Sequence, residues 1–179
     1  LKLSVPSNDL TISIPQAFGN SPRILFPAVP SPFVAVGNNH GDREFREIWD
    51  LRSKSKVGTL RGKLDWEDKM TALSADGQLM AGKPGFRDVV EVRSVKTGRI
   101  TQTINLPGPF QDFLAFGPTG TLLIGKIGDK AIRLYSIQSG EATLEIPLPG
   151  HLDRDSVGFS ANAKYLVGID GISLLLVML

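Results

Sequence analysis

The apolar residues of this chain fall in short runs rich in β-forming side chains, separated by glycine, proline, asparagine or an Asp-Gly pair. Short runs broken by turn residues predict many short β-strands joined by tight turns. The pattern also repeats on a longer scale. Residues 69–82, 112–125 and 155–168 align without gaps, with an interval of 43 residues from Gly82 to Gly125 and again from Gly125 to Gly168. Each copy has an apolar strand ending at Leu73, Phe116 or Phe159, then a turn at Asp76-Gly77, Thr119-Gly120 or Asn162-Ala163, then a second apolar strand closed by glycine. Each copy is therefore expected to be a β-hairpin.

A third strand is expected after each hairpin, over 45–50, 89–95, 131–137 and 172–176, and a fourth over 57–60, 100–104 and 142–146. Four antiparallel strands per period is the blade of a β-propeller, so the predicted fold class is all-β, with about four blades' worth of chain. Residues 24–37 read as a degenerate hairpin interrupted by Pro27, Pro30 and Pro32, and residues 1–15 match 133–147 without gaps, so the chain is expected to open on a third strand. The division that follows is 1–16 the end of a blade, 17–60 a degenerate blade, 61–104 and 105–147 complete blades, and 148–179 a partial one, with 17 strands in all. Flat apolar sheet faces need covering, which favours a segment of a larger propeller whose remaining blades lie in a longer parent chain. A four-bladed ring, closed by pairing the first two strands with the last hairpin, is the alternative.

Composition narrows the chemistry. At 179 residues and 41% hydrophobic, the chain has enough apolar material for a packed core. Twenty basic residues against 18 acidic leave a net charge of +2, so no polyanionic partner is implied and neither nucleic acid nor a membrane surface is expected. The absence of cysteine removes disulfides and thiol chemistry and leaves the compartment undecided. The only histidines, His40 and His151, cannot build a histidine-rich metal centre. The longest apolar run, 172–179, is far shorter than the roughly 20 residues of a membrane helix and reads as a strand. The first residue is leucine and no charged segment precedes an apolar one, so no signal peptide is visible and the natural start is expected to lie elsewhere.

The ends of the third strands, Ile48-Trp49-Asp50, Arg93-Ser94-Val95 and Tyr135-Ser136-Ile137, resemble the signature of the WD-repeat family, with Trp49-Asp50 its full form. Asp42, Asp88, Asp129 and Asp170 fall where that family carries an aspartate before the third strand, and Gly150-His151 matches its Gly-His pair. The resemblance implies a propeller that acts as a non-catalytic platform for protein partners, with Trp49, Asp50, His151 and the four aspartates as structural repeat residues. A turn aspartate accepts backbone amides and a histidine one strand away can tie to it, so His151 and Asp170 are expected to form a scaffold pair.

No nucleophile elbow, phosphate loop, dinucleotide fingerprint or zinc-protease motif occurs, so no catalytic residue, metal or cofactor is expected. Asp65, Glu67 and Asp68 share one loop and read as solvated charge; Asp153 and Asp155 have the spacing of calcium ligands without the glycine and closing glutamate of a calcium loop. The basic residues Arg52, Lys54, Lys56, Arg61 and Lys63 alternate with small ones, as on an outer strand that shows its polar face to water. Binding is therefore expected in the loops. Trp66, Phe86, Arg87, Phe110 and Arg154 are the candidate anchors, because tryptophan and arginine in polar loops are typical contact residues; Trp66 capping its own blade is the bland reading. The rival function is an enzymatic or ligand-sensing propeller with a metal or small molecule in its channel.

Overall fold

The computed structural model describes residues 23–28, 31–38, 45–61, 71–84, 88–108, 113–117, 121–126, 131–147, 158–160, 164–170 and 173–178. Sheet 1 holds β1 (Arg23–Leu25), β2 (Phe33–Asn38), β3 (Phe45–Asp50) and β4 (Ser55–Arg61). Sheet 2 holds β5 (Thr71–Leu73), β6 (Leu79–Gly82), β7 (Val89–Ser94) and β8 (Ile100–Asn105). Sheet 3 holds β9 (Phe113–Phe116), β10 (Thr121–Lys126), β11 (Ala131–Ser136) and β12 (Ala142–Pro147), and sheet 4 holds β13 (Gly158–Phe159), β14 (Tyr165–Asp170) and β15 (Ser173–Met178). Every pair of neighbours is antiparallel and every sheet follows chain order, so the protein is all-β and built from meanders. No helix occurs among the described residues. The two strands expected within residues 1–15 lie outside them.

The strand pattern follows the apolar runs closely. The degenerate hairpin is real: Ile24 pairs with Val36 and Leu25 with Ala35, while Pro27 and Pro32 sit in the connection, where no ladder amide is lost. One hairpin departs from the gapless alignment. Leu73 faces Met80 and Phe159 faces Leu166, seven residues apart in both cases, whereas Phe116 faces Leu122, six apart. The cause lies in the turn. Ser74 and Ser160 each accept, on the side-chain oxygen, the amide five residues on, from Leu79 at 2.9 Å and from Tyr165 at 3.0 Å. Gly117 stands in that place in sheet 3 with no hydroxyl to offer, and its amide closes the turn one residue sooner, onto the Thr121 carbonyl.

Three apolar clusters hold the sheets together, and each spans two consecutive sheets. Ala35, Ile48 and Leu60 of sheet 1 pack on Leu73, Met80 and Val95 of sheet 2. Ala81, Val90, Val92 and Ile104 of sheet 2 pack on Leu114, Phe116 and Tyr135 of sheet 3. Ile132, Leu134 and Ile146 of sheet 3 pack on Leu166 of sheet 4. Sheet 2 is thus covered on both faces, which is why all three residues of β5 are buried. The fourth strands are the wet ones: β4, β8 and β12 each bury a single residue, Leu60, Ile104 and Ile146, and leave Arg52, Lys54, Lys56 and Arg61 in and around β4 exposed as the alternation predicts.

The first two junctions are completed by contact between a fourth strand and the next sheet's third-to-fourth turn. Gly58, opposite Ile48 in β4, lies so close to Val95 that a Cβ there would meet the Val95 side chain at 2.7 Å and its carbonyl oxygen at 2.8 Å. In the next junction Gln102 takes the same place, opposite Val92, and donates to the Gln138 carbonyl at 3.5 Å. Ser31 adds a polar tie between sheets 1 and 2 through its bond to the Ala75 carbonyl at 2.7 Å. Gly58→Ala should therefore wedge sheet 1 from sheet 2 and cost about 1–3 kcal/mol, the usual penalty of overpacking, read as a fall in the urea midpoint.

Candidate functional site

The antiparallel order gives each sheet two ends. First-to-second and third-to-fourth turns lie at one end, and second-to-third and sheet-to-sheet connections leave from the other. The first of these ends is well described and carries a repeated device. Asp50, Ser94 and Ser136 each close β3, β7 or β11 and cap the turn that follows: Arg52 N–H donates to Asp50 Oδ1 at 2.9 Å, Thr97 N–H to Ser94 Oγ at 3.4 Å, and Ser139 N–H to Ser136 Oγ at 3.2 Å. The fourth residue on is left-handed in all three turns, Lys54 at φ 54°, Gly98 at 69° and Gly140 at 74°. Two turns use glycine, which adopts this backbone freely; the first forces a lysine into it.

The same three sheets share a β-bulge between their third and fourth strands, at Ile48/Trp49, Val92/Arg93 and Leu134/Tyr135. The extra residues are Val57, Thr101 and Thr143. Both threonines turn their hydroxyls back onto the bulged carbonyl, at 3.1 Å to Val92 O and 3.2 Å to Leu134 O, while Val57 has no donor and stands exposed. On the strands themselves, Glu47 accepts the Lys56 ammonium at 2.9 Å and the Trp49 indole N–H at 3.3 Å. Arg93 reaches back to Glu91 at 2.7 Å, and Arg133 crosses to Glu145 at 2.6 Å. These pairs absorb charge that the sequence alone leaves looking free, Lys56 above all.

Trp49 and Asp50 consequently have separate jobs. Trp49 packs with Val34, Val36 and Leu51 on the face of sheet 1 turned away from sheet 2, and Asp50 caps the turn. Asp88 precedes β7 with its side chain exposed, and its carbonyl accepts the Leu106 amide at 2.9 Å. Asp170 ends β14 opposite Ser173. Asp42, Asp129 and His151 lie outside the described residues, and with His151 goes the pair it was expected to form.

The candidate anchors belong to the other end. Trp66 falls in the β4–β5 connection, Phe86 and Arg87 in β6–β7, Phe110 in β8–β9 and Arg154 in β12–β13, and all five lie outside the described residues. The topology nonetheless assigns every one of those connections to the same end of its sheets. At the described end the sequence reading missed Lys96 and Arg99, which occupy the turn after β7 as Arg52 and Lys54 occupy the turn after β3, so that exposed cations rim sheets 1 and 2. Their signal was the repeat itself, turn against turn. An open, shallow depression beside them is lined by Ser31, Pro32, Leu51 and Arg52, too flat to enclose a small molecule. Among the described residues no three acidic or histidine side chains group as a metal site, and no helix is long and apolar enough to cross a membrane.

Two outcomes test the turn chemistry. The Asp50 carboxyl is held below the ordinary aspartate value of 3.8 by the Arg52 amide and, further, by the Ser53 hydroxyl. A depressed value means stability present above pH 3.8 and lost as pH falls through the folded-state value. Asp50→Ser should keep the turn, as Ser94 and Ser136 do, and flatten the acid limb of a urea-midpoint-against-pH curve; Asp50→Ala should lower the midpoint at neutral pH as well. Lys54→Gly should raise stability by about 0.5–1 kcal/mol, the left-handed penalty less the glycine's entropic cost, measurable by urea unfolding.

No family model and no curated protein matches the sequence. Among solved structures the fold is similar to that of Kuenenia stuttgartiensis hydrazine synthase, with 18% identity and a TM-score of 0.60 over 87% of this chain and 45% of that one. It is also similar to the computationally designed Ika8 protein, with 16% identity and a TM-score of 0.55 over 87% of this chain and 45% of that one. The chain thus spans a little under half the length of these solved chains, and at such identities the likeness shows a shared fold and nothing about activity.

Proposed function

We propose that the four sheets are blades of a β-propeller of the WD-repeat type, and that the chain is a non-catalytic platform for protein partners. Contact is made through the end of the sheets that carries Trp66, Phe86, Arg87, Phe110 and Arg154. The observation that carries the reading is the recurring junction between successive sheets: the third strand of one meander packs face to face on the next meander, three times over. Such a stack fixes the strands and leaves connections at one end free to differ in length and composition, which is how a rigid scaffold presents a variable surface. The likeness to the two solved folds supports the architecture, while the step to protein binding rests on analogy with the family that the third-strand ends resemble.

The test compares the chain with Trp66→Ala and, as a control at the opposite end, Lys96→Ala. Partners captured by the unaltered chain should bind Trp66→Ala about 30-fold more weakly, the ~2 kcal/mol of a buried aromatic anchor, with the circular dichroism spectrum unchanged and Lys96→Ala without effect. Equal binding by Trp66→Ala and loss with Lys96→Ala would move the surface to the other end. Stoichiometric bound metal, or a small molecule carried through purification, would replace the platform with a ligand-binding propeller.

A further inference from the structure

The fold treats the cations of its strands and those of its turns differently. Lys56, Arg93 and Arg133 lie on strands and each holds a carboxylate, at 2.9 Å on Glu47, 2.7 Å on Glu91 and 2.6 Å on Glu145. Arg52, Lys54, Lys96 and Arg99 stand in the turns after β3 and β7, all exposed, and none of them makes an ion pair among the described residues. The stack sets these two turns side by side, since Gly58 of sheet 1 lies against Val95, the residue before Lys96, and Ser31 bonds the Ala75 carbonyl across the same junction. The carboxylates at this end of the two sheets are engaged: Asp50 accepts the Arg52 amide and the Ser53 hydroxyl, and Asp76 the Ser74 hydroxyl at 2.6 Å and the Gln78 amide at 3.0 Å. The corresponding turn of sheet 3, from Gln138 to Glu141, carries no cation, so the patch belongs to sheets 1 and 2. Beside the cations the surface is apolar. Pro32 and Leu51 line the shallow depression with Arg52, and Phe26, which follows β1 at the same end, is 66% exposed.

We propose that this end of sheets 1 and 2 is a second docking surface, independent of the one at Trp66, and that its occupant is an extended acidic peptide segment with an apolar residue among its carboxylates. Charge complementarity is the first argument: four cations without an internal partner can meet an anionic segment with no ion pair of their own to break. Spacing is the second. Packed sheets lie about 10 Å apart and an extended chain advances about 3.3 Å per residue, so carboxylates about three residues apart reach the two turns in succession. Pro32, Leu51 and Phe26 give an apolar side chain of that segment a place to rest, while four cations on two turns are few for a phosphate backbone. Lys54 is the third argument, because it holds a left-handed backbone, φ 54°, where the other two turns use Gly98 and Gly140. Backbone strain at a residue whose charge is presented to solvent fits a binding role better than a structural one. The cap bonds pin both turns, so little order is lost when a segment docks.

The test is fluorescence anisotropy with a labelled peptide of about 12 residues that has glutamate at every third position and a central leucine. Saturable binding at about 0.05 M salt, fading at about 0.5 M, is expected, with none for the same peptide carrying glutamine in place of glutamate. Lys54→Gly should weaken binding about 2- to 5-fold, the contribution of one exposed ion pair, while the urea midpoint rises. Binding and stability then move in opposite directions, whereas a merely structural role for Lys54 would move stability alone. Arg52→Glu with Lys96→Glu should abolish binding with the circular dichroism spectrum unchanged, and Trp66→Ala should leave it as it is. No saturable binding of the acidic peptide, equal binding of the glutamine peptide, or tighter binding of a labelled oligothymidine of the same length overturns the proposal. Loss of peptide binding with Trp66→Ala overturns it too, by placing the acidic segment at the other end. The effect of Trp66→Ala on captured partners decides the platform by itself, so the two readings fail separately.

Discussion

Everything in this molecule depends on one sheet pressing its third strand into the hairpin of the next. Ile48 against Leu73 and Met80, Val90 and Val92 against Leu114 and Phe116, and Ile132 and Leu134 against Leu166 are the same contact made three times. Each fully buried side chain of this size contributes about 1.5–3 kcal/mol, so a junction with five or six of them outweighs any of the half-exposed ion pairs on the strands, which are worth at most about 1 kcal/mol each. A four-stranded meander alone buries one face at best; a stack buries two, and only then does β5 become a strand with no exposed side chain.

Because the junction demands a fixed distance between sheets, the turns beside it are held by local bonds rather than left to the core. The repeat makes their chemistry readable by comparison. At the cap, aspartate and serine are interchangeable since each offers an oxygen to a nearby amide; at the left-handed position, glycine and lysine are not, since only one avoids the Cβ clash. Threonine at the bulge adds a hydroxyl bond to the third-strand carbonyl, which valine has no donor to make. Sheet 1 differs from its neighbours at both positions, with Lys54 and Val57, and so departs most from the locally favoured residue.

Much of the fold was legible because short apolar runs, turn residues and the 43-residue repeat carry it directly. The third and fourth strands fall within one or two residues of where the apolar pattern puts them, and even the hairpin interrupted by Pro27 and Pro32 follows, since prolines between strands do not touch the ladder. The off-register pairing of β9 with β10 was not legible. A gapless alignment treats Gly117 as the equal of Ser74 and Ser160, but the difference between them is a hydroxyl that sets turn length. Trp49 and Asp50 were legible as a signature and not as physics: adjacent residues on a strand point to opposite faces, so the pair was bound to serve two different ends. The loop residues with binding chemistry were picked by composition alone, since no periodicity constrains a connection.

The division between strands and connections is itself the argument for where function sits. Substitution in the stack is felt at once, because a methyl group at Gly58 would collide with the backbone of the next sheet and a smaller side chain at Met80 or Ile104 would open a void between two sheets. The platform proposed above puts its contacts in the connections, outside these ladders and junctions.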